Sequence, residues 1–197
     1  MMTELIESIT DSYVFGIEGF IIIAAIVGVS AFISNARKKV GGSYLTDQIK
    51  ELDKETYHHF TNITLPELDH KIDHIILSIY GILIIHRENY DGTVLGSEAD
   101  EEWTFSKKGK KKQRPNPLKK IKGSINVIAE HLDVKEKNIY PIVASSNTAE
   151  LEIDPSLIKK GKVCQYDQIA ETIQTYQTPK LAKTKIAELV EQLQKTE

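Results

Sequence analysis

Cysteine is nearly absent: Cys164 is the single one in 197 residues. No disulfide can form within the chain and no cysteine-based zinc cluster can be built, which fits a reducing compartment. An excess of positive charge is also missing. Lys and Arg number 25 against 28 Asp and Glu, a formal net charge of -3. A globally basic nucleic-acid protein is therefore excluded, although a local basic patch is not. The sequence has no Walker loop, GxGxxG, HExxH, GxSxG or Cys pair. The common nucleotide, zinc-protease and serine-hydrolase readings lose their support. With 41% hydrophobic and 27% charged residues, the composition is that of a globular protein, neither disordered nor polytopic.

What is present is unevenly spread. From Tyr13 to Ile33 the chain is almost wholly apolar, with Glu18 as its one ionised residue. A run of ~20 residues matches the hydrocarbon core of a bilayer. A buried core helix of this length would show a polar face, and Gly19 to Ile33 shows none. A cleaved signal peptide would need a basic leader, whereas Glu4, Glu7 and Asp11 precede the run. Arg37, Lys38 and Lys39 follow it, so the positive-inside rule puts that flank in the cytoplasm. The expected order is a short extracytoplasmic N-terminus over 1–12, a membrane helix over 13–33 and a basic linker over 34–42. An α/β domain over 43–177 and a last helix over 178–197 then face the cytoplasm.

Within that domain the hydrophobic period switches repeatedly. Leu45, Ile49 and Leu52 mark an amphipathic helix over 43–55. Strands are expected over 57–65, 72–78 and 82–88, the last two joined tightly at Tyr80-Gly81. Short strands follow at 93–95 and 103–105. Asn116-Pro117 opens a helix, with Asn at the cap and Pro at the first position. The run 139–144 reads as a buried strand, and Pro141 within it argues against a central position throughout. Short strands at 151–153 and 162–164, a helix over 166–176 and a last helix from Pro179 complete the order. The fold class is a mixed α/β domain with a central sheet covered by helices.

The chemistry-bearing residues cluster on the hairpin from Ile72 to Tyr90. Period-two alternation puts His86 and Glu88 on one face of their strand, and if the hairpin pairs with that face and the Asp73 face together, Asp73 comes near them. One Asp, one His and one Glu could hold a divalent metal. The plainer account of the three is the solvated ends of two strands. His58 and His59 point to opposite faces of one strand and cannot easily share an ion. Cys164 reads as a small buried apolar residue.

These residues carry a resemblance. Ile72-Asp73-His74, Gly81-Ile82, Asn89-Tyr90, Gly92, Gly96, Trp103 and Asn116-Pro117-Leu118 stand in the order of the NERD (nuclease-related) domain pattern. The stretch 38–155 resembles that family, whose core is restriction-endonuclease-like. The resemblance implies an α/β fold with a central mixed sheet flanked by helices, preceded here by one membrane helix. It further implies that the Asp and a Glu hold the metal while a Lys positions or activates the attacking water. This chain departs from the pattern. Ser43 replaces the Glu of the first helix, and His86-Arg87-Glu88 replaces Glu-x-Lys. Mg²⁺ prefers oxygen to the imidazole of His86, and Glu88 cannot do a lysine's work. Arg87 points to the opposite face of a regular strand. Two outcomes follow: a catalytically dead site on a binding fold, which is favoured, or a rewired Asp73/His86/Glu88 site for Mn²⁺ or another nitrogen-tolerant metal.

A second constellation is basic. Lys107, Lys108, Lys110, Lys111, Lys112, Arg114, Lys119, Lys120 and Lys122 run without an intervening acid, just after Glu98, Asp100, Glu101 and Glu102. A solvated loop partly neutralised by the acids explains the run. It also ends at a helix start, where free N–H groups favour anions and lysines oppose the dipole. The anion is either nucleic-acid phosphate, DNA or RNA, or the anionic headgroups of the inner leaflet. Three functions stay open on these residues: a nucleic-acid-associated protein with an impaired nuclease site, a tethered scaffold binding a protein partner through Pro179 to Gln194, and an active metal-dependent phosphodiesterase.

Overall fold

A computed structural model describes residues 42–195. The expected membrane helix over 13–33, the N-terminus before it and the linker up to 41 lie outside the described residues. Among those described, no helix is long and apolar enough to cross a membrane.

The domain opens with α1 (Gly42–Lys50) and β1 (His58–Ile63). The helix stops at Lys50, short of the expected 55, because Asp53 folds the chain into a turn. Its carboxylate accepts from Thr56 Oγ1 at 2.5 Å and from the Glu55 N–H at 3.1 Å, the local bonding by which Asp competes with helix. Strands β2 (Ile72–Ser78) and β3 (Gly81–Glu88) follow, then β4 (Thr93–Gly96), β5 (Glu102–Lys107) and β6 (Lys110–Pro115). Helix α2 (Pro117–His131) is capped by Asn116, whose Oδ1 accepts from the Leu118 N–H at 3.0 Å. Strands β7 (Ile139–Ser145) and β8 (Glu150–Ile153), short helix α3 (Pro155–Lys159), β9 (Val163–Gln165), α4 (Ile169–Gln174) and α5 (Lys183–Gln194) complete the order.

The strands form two sheets. The larger runs β1-β2-β3-β7-β9, antiparallel as far as β3 and parallel beyond it. This is the expected mixed sheet. Strands β2 and β3 are near-continuous Ile and Leu because both their faces are covered. Ile75, Leu77, Ile82 and Ile84 face a core shared with α2, α5 and the second sheet. Ile76, Leu83 and Ile85 face a second core with α1 and α4, which also takes the buried Cys164. Pro141 is accommodated as its position requires. Strand β9 pairs only with Val143, Ala144 and Ser145, so at Pro141 the strand has β3 on one side and no ladder on the other.

The second sheet, β6-β5-β4-β8, holds the main departures from the sequence reading. The pairing of 93–95 with 103–105 is present, Val94 opposite Phe105. The lysine run, read as a loop, instead contains the edge strand β6. Lys108 and Gly109, at φ 50 and 77, make a two-residue turn of the type that right-handed strand twist favours. The two strands then pair from Lys107 opposite Lys110 to Glu102 opposite Pro115. Helix α3 was also not expected; Asp154 caps it through the Ser156 N–H at 2.9 Å. The last helix starts at Lys183 rather than 179. The backbone N–H groups of Lys180 and Leu181 both donate to Ile79 O, at 2.7 and 3.0 Å, which holds that stretch extended against the β2–β3 turn. Ile186, Leu189 and Leu193 of α5 are buried in the first core.

Candidate functional site

The site grows out of the β2–β3 hairpin. His74 pairs with Ile85, so Asp73 stands opposite His86 on the same face. The Asp73 Oδ2 lies 2.9 Å from His86 Nδ1, and the Arg87 backbone N–H donates to the same oxygen at 2.9 Å. Both side chains are about a quarter exposed, at 25% and 26%. Burial pushes the Asp73 carboxyl up. The hydrogen bonds from His86 and the Arg87 N–H, with the neighbouring charges, outweigh it and hold the group below its ordinary value. Asp73 is therefore a carboxylate.

Glu88, two residues on, turns elsewhere. Its Oε1 accepts from Arg114 Nη1 at 3.2 Å. The Arg114 guanidinium lies 4.6 Å from the Phe105 ring centre and 5.3 Å from that of Tyr90, so it is fixed by stacking as well as by charge. Burial raises the Glu88 carboxyl, against the lowering by Arg114 and His86, and the net direction is up. Of the three expected ligands, the structure thus joins Asp73 to His86 and separates Glu88 onto a cation. Among the described residues no three His, Cys, Asp or Glu side chains are grouped so as to hold a metal ion. The divalent metal implied by the nuclease fold does not fit this donor set, because one Asp73 oxygen has two donors and Glu88 has its own counter-ion.

Between the hairpin and α2 lies a recess of about 30 Å³. Asp73 and His86 line it from the strands, Lys120 and Ser124 from the helix, and His70 and Lys71 from the loop before β2. His70 Nδ1 lies 2.7 Å from Asp69 Oδ1 and its Nε2 lies 3.3 Å from Ser124 Oγ. His70, Lys71 and Ser124 were missed in the sequence. Ser124 carried a signal: it is a polar residue on the apolar stripe between Ile121 and Ile128, and it is 5% exposed. His70 and Lys71 sit in a loop without periodicity and carried none.

The basic run divides in two. Lys107 pairs with Asp91 at 2.7 Å, Lys119 with Glu101 at 2.5 Å and Lys122 with Glu98 at 2.6 Å. Lys122, then Lys162, holds the Glu98 carboxyl down at about 2. Together with the Arg114–Glu88 pair, these contacts use the acidic block as local neutralisation. Lys108, Lys110, Lys111 and Lys112 stand exposed on the β5–β6 hairpin with no ion pair among the described residues, whereas exposed Lys120 at the recess acts at longer range on Asp69 and Glu88. On β6, Lys110 and Lys112 share the face of Arg114, which reaches Glu88.

Comparison with known proteins decides the family. The model of the nuclease-related domain, NERD, matches residues 38–146, more than half of the chain. The chain belongs to the NERD family. The match runs from α1 to the end of β7 and takes in the Asp73 hairpin, the basic hairpin and α2. An uncharacterised protein of Bacillus anthracis is 23% identical over 173 residues, covering 84% of this chain and 81% of that protein. No solved structure matches the chain.

Proposed function

We propose that this NERD protein is a membrane-anchored nucleic-acid-binding protein whose nuclease site does not work through a divalent metal. The observation that carries this reading is the pairing of the acids: His86 and the Arg87 N–H meet one oxygen of Asp73, and Glu88 is held by Arg114 rather than beside it. Family membership supports a nucleic-acid-related role. The hairpin lysines 108, 110, 111 and 112, exposed and without acids, are the cations free to meet phosphate. The anchor rests on the apolar run 13–33 and its basic flank. The apolar stripe of the last helix is already buried in the domain, so no observation favours that helix as a docking element.

The test is fluorescence anisotropy of the full chain in detergent with DNA and RNA oligonucleotides across a salt series. Affinity is expected to fall log-linearly with salt. Replacing Lys108, Lys110, Lys111 and Lys112 by Ala is expected to lower the slope by about 3, at ~0.7–0.9 per phosphate contact. A salt-independent or absent affinity overturns the reading. Binding confined to anionic liposomes assigns the lysines to headgroups instead and overturns it as well. Alkaline extraction of membranes tests the anchor: the full chain stays in the pellet, and its release contradicts the span.

A further inference from the structure

We infer that the large cleft at the β2–β3 turn binds a small molecule bearing phosphate groups, held by the Asn138 amide, by unpaired lysines and by the N-terminus of α5. The site stands apart from Asp73 and from the hairpin lysines. His86 lies five residues along β3 from Gly81 at the turn, ~17 Å of strand.

The cleft measures about 830 Å³, a volume that suits a metabolite. The stretch after α2 supplies one wall, with Lys135, Lys137 and Asn138. The segment leading into α5 supplies the other, with Pro179, Lys180 and Leu181. Both walls are fixed on the same turn. The N–H groups of Lys180 and Leu181 donate to Ile79 O. The Asn138 carbonyl packs so closely on Gly81 that a Cβ there would stand 2.8 Å from it. Walls held in this way need little ordering when a ligand enters.

The charge of the cleft is unbalanced. Its acids, Asp133 and Glu188, both sit on Lys185, at 3.6 and 2.9 Å. Lys135, Lys137 and Lys180 are exposed and form no ion pair among the described residues. Helix α5 begins here with Ala182 at its cap, so no side chain takes its first N–H groups. Its first turn carries Lys183 and Lys185 and no acid, the reverse of what the helix dipole favours. A bound anion satisfies those N–H groups and offsets the lysines.

Asn138 points independently to a ligand. It is 8% exposed and lines the cleft, yet its side-chain amide makes no hydrogen bond among the described residues. Buried polar groups are ordinarily paired. An amide N–H pair facing the cleft can donate to an oxyanion between the two cationic walls. Three unpaired lysines call for more than one negative charge. A phosphate ester supplies nearly two, a carboxylate one. Val134, Pro179 and Leu181 leave an apolar surface for the rest of the molecule.

The experiment is isothermal titration calorimetry of the full chain in non-ionic detergent and EDTA, with pyrophosphate and ATP as probes and adenosine as control. Both phosphates are expected to bind one per chain and to compete with each other, while adenosine alone does not bind. Asn138→Asp keeps the shape of the side chain and adds a negative charge; it is expected to raise Kd about tenfold or more. The double variant Lys135→Ala with Lys137→Ala is expected to do the same, and it serves if Asn138→Asp loses its circular-dichroism signature. Replacing Lys108, Lys110, Lys111 and Lys112 by Ala is expected to leave Kd unchanged. No binding of either phosphate, or equal binding by the cleft variants, overturns the inference. Binding lost with the hairpin lysines, or confined to anionic liposomes, overturns it as well. Oligonucleotide affinity measured on the same proteins is expected not to change with Asn138→Asp, so the nucleic-acid reading stands or falls separately.

Discussion

His74 is 3% exposed and its ring stacks on that of His59, with His59 Nε2 3.0 Å from His74 Nδ1. Burial, then the charge on His59, brings His74 down to about 4; burial does the same to His59, also to about 4. Both are neutral in the folded protein at neutral pH. The unfolded chain binds protons at about 6.5. Between 6.5 and 4 the unfolded state therefore holds more protons, and stability falls as pH falls through that window. His74 alone contributes roughly 2–3 kcal/mol to the fall. Urea unfolding of His74→Gln is expected to show a shallower loss between pH 7 and pH 4.5; an unchanged slope would sink this account. The Glu88–Arg114 pair gives a second residue-scale expectation. Arg114→Ala leaves a carboxylate only 14% exposed without its cation and strips the stack on Phe105. A loss of about 1–3 kcal/mol is expected, for a pair that keeps some contact with water. Arg114→Lys is expected to recover part of it, because an ammonium cannot stack as the guanidinium does. Thermal unfolding of the two variants distinguishes the charge from the stack.

Elements are held by a few close contacts. Asn116 is 1% exposed and caps α2, while its Nδ2 donates to Ser97 O at 3.2 Å and Asp100 O at 2.8 Å. Trp103 Nε1 donates to the same Ser97 oxygen at 2.9 Å. Asn116→Ala thus removes a cap and a loop clamp together, and is expected to cost more than the ~1 kcal/mol of a cap alone. A cost below that in urea unfolding would reduce Asn116 to an ordinary cap. On β4, a Cβ at Gly96 would run into the Trp103 indole. Gly96→Ala is expected to destabilise by about 1–3 kcal/mol, as overpacking does. What was legible here followed the physics each element depends on. Strands β2, β3 and β7 declared themselves as apolar runs because both faces are buried, and α2 by its Asn-Pro start. Strand β6, Lys-Lys-Lys-Gln-Arg-Pro, has no apolar alternation to read. It is a strand because the Lys108-Gly109 turn folds it onto β5, a long-range property of the pair. Asp73 beside His86 was one of the arrangements the hairpin allowed, and the register that joins them is fixed only by the pairing of β2 with β3. Glu88 on Arg114 was not legible, because it depends on how one hairpin lies against another 26 residues away.

At the scale of the molecule, the large sheet separates two environments. One face packs on α1 and α4 and holds the neutral histidine pair. The other, at the ends of β2 and β3, meets α2 and the second sheet and carries Asp73, His86 and Glu88, the last reached by Arg114 of β6. The NERD frame is kept, and its expected oxygen donors are each matched to a cation or an N–H. The pairing of Asp73 with His86 in place of a metal is tested most directly by titrating Mn²⁺ into the full chain and following the free ion by electron paramagnetic resonance. The expected result is no binding that depends on Asp73, with identical curves for the native chain and Asp73→Ala. A stoichiometric site that disappears in Asp73→Ala would contradict it.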